Sequence, residues 1–318
     1  MSQDIYVVIE HLRGQVADIS YVMLAAARIL AQGTGGEVVG VLLGHNNQEL
    51  AGNLAADQVL YLDHPALAEF TSDAYQKTLA SLIEEKAPRA VLFGSTSIGA
   101  DIASVLSARL DLPMVALCRS FSAGGKYVSQ ICGGKIMAEG ELPEPTALVT
   151  MIPGDFKPDE GKSDKPPNVT SVAVPALEEL RVRLVGYVEP EAGDVDISQE
   201  SILISVGRGI QTEDNIELAE ELAELLGGVV SATRPVVDQG WLPISRLIGK
   251  SGKTVKPQLY LALGISGAPE HVEAITDSKM IIAINTDPNA PIFDVAQYGA
   301  EVDLLDLTEV LIEMIEEA

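Results

Sequence analysis

Two short apolar runs, Gln258–Leu263 (QLYLAL) and Met280–Asn285 (MIIAIN), constrain this chain more than any other feature. Each is apolar along its length rather than at alternate positions, as a parallel strand covered on both faces should be. The first leads into Gly264-Ile265-Ser266-Gly267-Ala268, then Pro269 and a predicted helix; the second ends in Asn285-Thr286-Asp287-Pro288. A strand, a Gly-Ser turn and a helix start leave unpaired backbone N–H groups, which suit phosphate oxygens. Upstream, Gly249-Lys250-Ser251-Gly252-Lys253 places a hydroxyl and two ammonium groups in a loop that must approach something closely. GKSGKT imitates a P-loop, but Leu247 stands where the first glycine is required, and a strand follows where a P-loop has a helix. Both departures argue against nucleoside triphosphate hydrolysis.

The rest of the chain alternates in the same way. Strands are expected at Asp4–Glu10, Glu37–Leu43, Gln58–Leu62 and Ala90–Phe93, with helices at Ser20–Gln32, Ala68–Lys86 and Gly99–Leu110. That order implies an α/β fold with a parallel sheet and right-handed crossovers. Gly94-Ser95-Thr96-Ser97 follows a strand and is a candidate nucleotide site on position alone. Met114–Cys118, Lys126–Cys132, Lys135–Glu139 and Ala147–Ile152 read as a meander extending the sheet. Asp155–Asn168 reads as a solvated loop, and Arg181–Val188 as a further strand. The domain boundary is expected near Pro190–Asp196, dividing the chain into 1–190 and 191–318. The second domain reads as five βα-like repeats, with strands at Ile202–Val206, Val229–Ala232, Leu259–Leu263, Met280–Ile284 and Val302–Leu305. Its helices are expected at Asp214–Leu226, closed by Gly227-Gly228, and at Leu307–Glu317.

Composition narrows the function. There are 46 acidic and 21 basic residues, a formal charge of −25. Nucleic-acid binding, which needs a basic face, is disfavoured. Against this background Arg246, Lys250, Lys253 and Lys256 form a local basic cluster suited to an anion. No apolar run reaches the roughly 18–20 residues of a membrane span. The first residues lack a signal-peptide or transit pattern, so a cytoplasmic protein is expected. Cys118 and Cys132 read as two small buried hydrophobes. No paired carboxylates, Ser-His-Asp set or metal cluster is visible, which suits a carrier more than an enzyme acting on a small substrate.

The second half resembles the alpha subunit of electron transfer flavoprotein. The resemblance runs in order through Gly207-Arg208-Gly209, Thr233-Arg234-Pro235-Val236-Val237-Asp238, Gly249–Lys253, Pro257-Gln258-Leu259-Tyr260, Gly264–Ala268, His271, Asp277-Ser278-Lys279, Ala283-Ile284-Asn285 and Ala290-Pro291-Ile292-Phe293. Residues 1–190 agree in general pattern only. The resemblance implies a nucleotide-binding-like N-terminal domain serving as scaffold and partner surface, and a flavodoxin-like, doubly wound C-terminal domain that binds FAD. It places Arg234 against the flavin ring with Thr233 beside it, and Ser251, in the loop Ile248-Gly249-Lys250-Ser251, near N5. His271 would sit near the C2 carbonyl. Gly264, Ser266, Gly267 and Ala268 would meet the cofactor. Arg208 would fix its phosphate or ring region, and Asn285 and Asp303 its adenosine and sugar portion. Two departures from the family pattern, Lys250 where many members carry Gln and Pro269-Glu270 before His271, bear on the redox potential rather than on binding.

The resemblance implies an electron carrier that joins a beta subunit in a heterodimer. The beta subunit would carry AMP or a second FAD. The carrier would shuttle electrons between an acyl-CoA dehydrogenase or other flavin dehydrogenase and an acceptor, as in fatty acid beta-oxidation. The alternative is an electron-bifurcating complex. There NADH is oxidised at a second FAD in the beta subunit, reducing ferredoxin or flavodoxin and a higher-potential acceptor. A nicotinamide-dependent enzyme on a similar sheet, without a flavin absorption band, is a rival from another class.

Overall fold

A computed structural model describes residues 2–122, 124–132, 136–187 and 195–317. The chain forms two compact units, Met1–Gly186 and Tyr187–Ala318. Most of the stretch expected to hold the boundary, residues 190–194 of 190–196, lies outside the described residues.

In the first unit, β1 (Ile5–Val8), a small hairpin of β2 (His11–Leu12) and β3 (Gln15–Val16), α1 (Asp18–Thr34), β4 (Val38–Gly44), β5 (Gln58–Asp63), α2 (Ser72–Lys86), β6 (Ala90–Gly94) and α3 (Ser97–Leu110) follow one another. Then come β7 (Met114–Phe121), β8 (Lys126–Ile131), β9 (Ile136–Glu141), β10 (Ala147–Met151) and β11 (Asn168–Ser171). Nine strands make one sheet in the order β11-β5-β4-β1-β6-β10-β7-β8-β9. It is parallel from β11 to β7, and β8 and β9 are antiparallel. One face packs under α1 and the other under α2 and α3, giving two apolar layers.

Four expectations are corrected here. Ala147–Met151 leaves the meander and inserts between β6 and β7 as a parallel strand. Every one of its residues is buried, and only a central position covers both faces of such a strand. The polar stretch 155–168 is not wholly solvated: a turn of 3₁₀ helix, Pro158–Gly161, packs on α1, with Gly161 against the Tyr21 carbonyl. The following β11, unforeseen because it is only four residues and largely exposed, closes the sheet edge. Residues 181–187 join neither sheet, and Val182, Leu184 and Val185 are exposed. Of the two cysteines, Cys118 is buried, with burial pushing its thiol up to about 12, and Cys132 is exposed.

At the edge after β6, side chains fill most of the space above the strands. Thr96 caps α3 by accepting from the Gly99 amide and donates to Glu10 Oε2 at 2.7 Å. Burial raises the Glu10 carboxyl, and the Thr96 bond partly offsets this. The void left between Glu10, His11, Phe93, Gly94 and Gly99 measures about 10 Å³, room for one water.

The second unit runs β12 (Ile202–Val206), α4 (Ile216–Leu226), β13 (Val229–Ala232), α5 (Arg234–Asp238), β14 (Leu259–Leu263), α6 (Pro269–Val272), β15 (Ile281–Asn285), β16 (Tyr298–Glu301) and α7 (Leu304–Glu316). All pairs are parallel, in the order β13-β12-β14-β15-β16. Counted within the unit this is 2-1-3-4-5, the flavodoxin-like arrangement. The fifth strand precedes the expected Val302–Leu305, because Asp303 accepts from the Leu305 amide and starts α7. The five repeats are unequal. Only α4 and α7 are long, and they cover one face. The crossovers after β14 and β15 hold a four-residue helix and a 3₁₀ turn, and loops cover the opposite face. Among the described residues no helix is long and apolar enough to cross a membrane.

The segment that leaves the first sheet is tied to α2 by Asp73 and Lys77, the Lys77 ammonium also donating to the Glu179 carbonyl at 2.5 Å. Asp73, 3% exposed, accepts from the Arg181 amide at 2.8 Å and from its guanidinium at 2.9 Å, with Lys77 at 3.5 Å. The Arg181 amide, then its guanidinium, holds the Asp73 carboxyl down to about 2. A carboxyl lowered on folding stabilises the fold above its unfolded value of about 3.9, and the benefit disappears as pH falls toward 2. Asp73→Asn is therefore expected to reduce stability to urea at pH 7 and to speed proteolysis near residues 178–187. The stability gap to wild type should narrow steadily between pH 5 and pH 3.

Candidate functional site

In an open α/β sheet, adjacent strands whose connections leave in opposite directions open a crevice at their carboxyl ends. In the second unit those strands are β12 and β14. The loops after them, Gly207-Arg208-Gly209 and Gly264–Ala268, meet there with Thr233-Arg234 after β13, Asn285 at the end of β15, and the Ile248–Ser251 loop. Together they bound a cleft of about 620 Å³, within the range of small-molecule sites.

The two glycine loops touch backbone to backbone. A Cβ on Gly264, whose φ is +63°, would lie 2.7 Å from the Gly209 Cα and 2.6 Å from Leu304 Cδ2. The Gly209 amide donates to the Gly264 carbonyl at 3.2 Å and locks the crossing. The amides of Ser266, Gly267 and Ala268 have no protein acceptor among the described residues, so three donors remain for a ligand. The helix after them is only four residues long, so these local N–H groups, rather than a macrodipole, are what the turn offers an anion.

Arg234 is held from two sides. Its Nε donates to Asp238 Oδ1 at 2.6 Å, and its Nη1 to Ser251 Oγ at 3.1 Å. The Ser251 loop is tied in turn to α6, the Lys250 amide donating to the Glu270 carbonyl at 2.9 Å. Asn285 Nδ2 donates to the Ile265 carbonyl, and its Oδ1 accepts from the Asp287 amide. Thr233 is buried beside Arg234.

His271 lies in the wall rather than on the surface, at 6% exposure. Its Nδ1 lies 3.1 Å from the Ile248 carbonyl, to which it donates, and its Nε2 is 2.7 Å from the Tyr260 hydroxyl. That pairing assigns the proton to Nδ1 and leaves Nε2 as acceptor. Burial lowers the imidazole's affinity for a proton, so the ring is neutral at pH 7.

Of the residues singled out from the sequence, the cleft gathers Arg208, Thr233, Arg234, Ile248, Gly249, Lys250, Ser251, Gly264, Ser266, Gly267, Ala268, His271 and Asn285. It does not include Asp303, whose carboxylate caps α7. The basic cluster is dispersed. Arg246 donates to the Val230 carbonyl at 2.9 Å, Lys253 pairs with Asp196 at 2.6 Å, and Lys250 alone of the four lines the cleft. Pro235, Leu247 and Glu270 also line it, and no residue-type signal marks them. Trp241 packs against the α4–α7 layer, as a bulky apolar residue should.

With this geometry in view, comparison with known proteins is decisive. Residues 5–177 match the electron transfer flavoprotein domain, and residues 196–276 match the electron transfer flavoprotein FAD-binding domain. The chain is 35% identical to the acryloyl-CoA reductase electron transfer subunit beta of Anaerotignum propionicum, covering 99% of this chain and 96% of that one. It is 33% identical to the electron transfer flavoprotein subunit alpha of Bacillus subtilis, covering 98% and 97%. It is also 32% identical to LctC, a subunit of the lactate dehydrogenase (NAD(+),ferredoxin) of Acetobacterium woodii, covering 98% of this chain and 77% of LctC. The chain belongs to the electron transfer flavoprotein family, as an alpha subunit. Its second unit carries the family's FAD-binding domain, and a beta-subunit partner is implied.

The crossing of the glycine loops can be tested against a matched control. Gly227 caps α4 at φ +67° with nothing within 4 Å of a Cβ. Gly227→Ala should cost about 1 kcal/mol for backbone conformation alone. Gly264→Ala should cost about 1–3 kcal/mol more, because the loops must part. Urea unfolding of the two variants measures the difference.

Proposed function

We propose that this chain holds FAD non-covalently in the cleft of its second unit and acts as the electron-carrying subunit of a heterodimer. In this reading it accepts electrons from a flavin dehydrogenase of the acyl-CoA type and delivers them to a separate acceptor. The observation that carries the reading is the convergence of unpaired amides, a clamped guanidinium and a neutral imidazole around one cleft in a flavin-binding domain.

The residues present fit the group. The Ser266–Ala268 amides and Arg208 suit a pyrophosphate. Arg234 and Lys250 supply positive potential toward a ring system, with the Ser251 hydroxyl, next to Lys250 in its loop, accepting from Arg234. Bound flavin would supply one- and two-electron redox chemistry, while the chain contributes position and electrostatics. Arg234 arrives pre-oriented by Asp238 and Ser251, so little side-chain entropy is lost on binding.

A second reading is favoured by the relative whose name includes NAD(+) and ferredoxin. In it, the beta subunit holds a second FAD that oxidises NADH, and electrons divide between ferredoxin or flavodoxin and a higher-potential acceptor. Counting flavins per purified heterodimer and testing reduction by NADH separate the two.

The reading is tested by co-expressing the chain with its beta subunit and recording visible spectra during dithionite titration. A yellow complex that bleaches reversibly is expected; a colourless complex that added FAD cannot reconstitute would overturn it. Arg234→Ala should weaken FAD binding at least about tenfold, the scale of one lost charge-assisted contact. Lys250→Gln, which removes a positive charge from the cleft, should lower the flavin potential, measured by the same titration against a reference dye.

A further inference from the structure

Three buried hydroxyls, those of Ser205, Ser231 and Tyr260, interrupt the apolar packing on the face of the second sheet beneath the cleft. Tyr260 on β14 is fully buried and reaches His271 Nε2 at 2.7 Å. Ser205 on β12 and Ser231 on β13 have no exposure, and neither hydroxyl makes a hydrogen bond to a described residue. Ser205 and Ser231 are in register on adjacent parallel strands, so both side chains leave the same face about 4.8 Å apart. Tyr260 lies opposite Leu203, one pleat before Ser205, on that face. Burial pushes the phenol strongly up, and the neighbouring Ser205 hydroxyl partly offsets it. The surrounding side chains, Leu203, Ala262, Ile281 and Ala283, offer no polar atom. A buried hydroxyl without a partner is costly, and two adjacent ones in a sheet core call for a physical reason.

The reason follows from the proton inventory of His271. In the neutral ring, Nδ1–H donates to the Ile248 carbonyl and the Tyr260 O–H donates to Nε2. A second proton can enter only at Nε2. The new N–H then needs an acceptor, and the phenol oxygen is the atom in place. The Tyr260 hydroxyl must reverse and give its own hydrogen to another oxygen. Ser205, one pleat on along the neighbouring strand, has a hydroxyl without a competing bond, and Ser231, in register with Ser205, carries the next oxygen on that face. With these hydroxyls the imidazole can become cationic while the Tyr260 and Ser205 hydrogens are both paired, leaving only the Ser231 hydroxyl without an acceptor, as it is in the neutral state. With an alanine core it could not.

We propose that Tyr260 and Ser205 form a reversible hydroxyl relay that sets how readily His271 takes a proton, with Ser231 as its terminus. Both are positioning residues, since neither lines the cleft. The link to redox chemistry rests on the flavin reading: reduction of a bound flavin would bring negative charge to the cleft wall and favour uptake of a proton from cleft water onto His271, which lines the cleft. Other charges act on the same ring. Glu270 and Glu273 flank it on and after α6, Lys250 and Lys253 lie in the loop against it, and Arg208 and Arg234 line the same cleft. Lys253 is neutralised by Asp196, and Arg234 is paired with Asp238. The relay is thus the buried, uncharged contribution to a balance that these groups share.

Ring-¹⁵N histidine NMR of the full-length chain, in complex with its partner and stripped of flavin, reads the relay directly. The chain has four histidines, and His271→Gln assigns the signal by its loss. The wild type should show Nδ1 protonated, Nε2 bare, and a titration midpoint below the ordinary 6.5. Ser205→Ala should lower that midpoint by a further half unit or more, on the order expected for losing one buried hydrogen bond from the charged form. Tyr260→Phe should lower it at least as far, and Ser205→Ala should add nothing in the Tyr260→Phe background. An Nε2-protonated tautomer, an unmoved midpoint in a folded Ser205→Ala chain, or full additivity of the two changes would each overturn the relay. If Tyr260→Phe fails to fold, Ser231→Ala replaces it. A shift smaller than that of Ser205→Ala supports the order of the relay, and a larger one overturns it. Because the measurement is made without flavin, a chain that never binds FAD would still display the relay. A flavin-binding chain with an unresponsive His271 would lose the relay alone.

Discussion

Bare backbone against bare backbone, at the crossing of Gly209 and Gly264, is the constraint on which the second unit depends. The amide-to-carbonyl bond at that crossing holds the ends of β12 and β14 together, and α7 closes over it through Leu304. Nothing larger than hydrogen fits between them. Every other loop at that edge takes its place relative to this contact, and the amides left without acceptors lie just beyond it. The order of the strands determines where the crevice opens, and the absence of side chains determines how closely a ligand can approach.

The two units obey the same sheet-edge rule with opposite results. In the first, Glu10 and Thr96 reach across the end of β6 and bond to each other, and the space above the strands shrinks to the size of a water. In the second, the loops after β12 and β14 are mostly glycine, serine and alanine, and the longer side chains, Arg208 and Arg234 among them, line the gap without filling it. A parallel sheet creates the opportunity for binding; the length of a few side chains at its carboxyl ends decides whether it is used.

How much of this could be read beforehand depended on whether the signal was local. Leu259–Leu263 was legible because a short, wholly apolar run between turn residues has few other fates. The cleft residues were legible jointly, as ordered motifs resembling a family, though hardly at all one by one. The role of Asp303 was not legible from its position, because a carboxylate after a strand reads alike whether it meets a ligand or caps a helix; the structure adds the capping bond to Leu305. The insertion of Ala147–Met151 into the sheet centre was invisible because chain order says nothing of spatial order once a crossover intervenes. The basic cluster dissolved for a related reason: Asp196, which neutralises Lys253, is remote in sequence. Tyr260 reads from the sequence as a strand residue within a family motif and no more, since its bond to His271 joins positions whose partnership no periodicity reveals.

The grip of Asp238 on Arg234 carries one more consequence. An arginine held by a carboxylate is steady but electrically muted: the anion that fixes its direction also cancels part of its field. Residue 238 is thus a dial outside the cavity wall. A neutral hydrogen-bond acceptor there would leave the guanidinium aimed as before and let more of its charge be felt inside. Relatives with identical linings could in this way operate at different voltages.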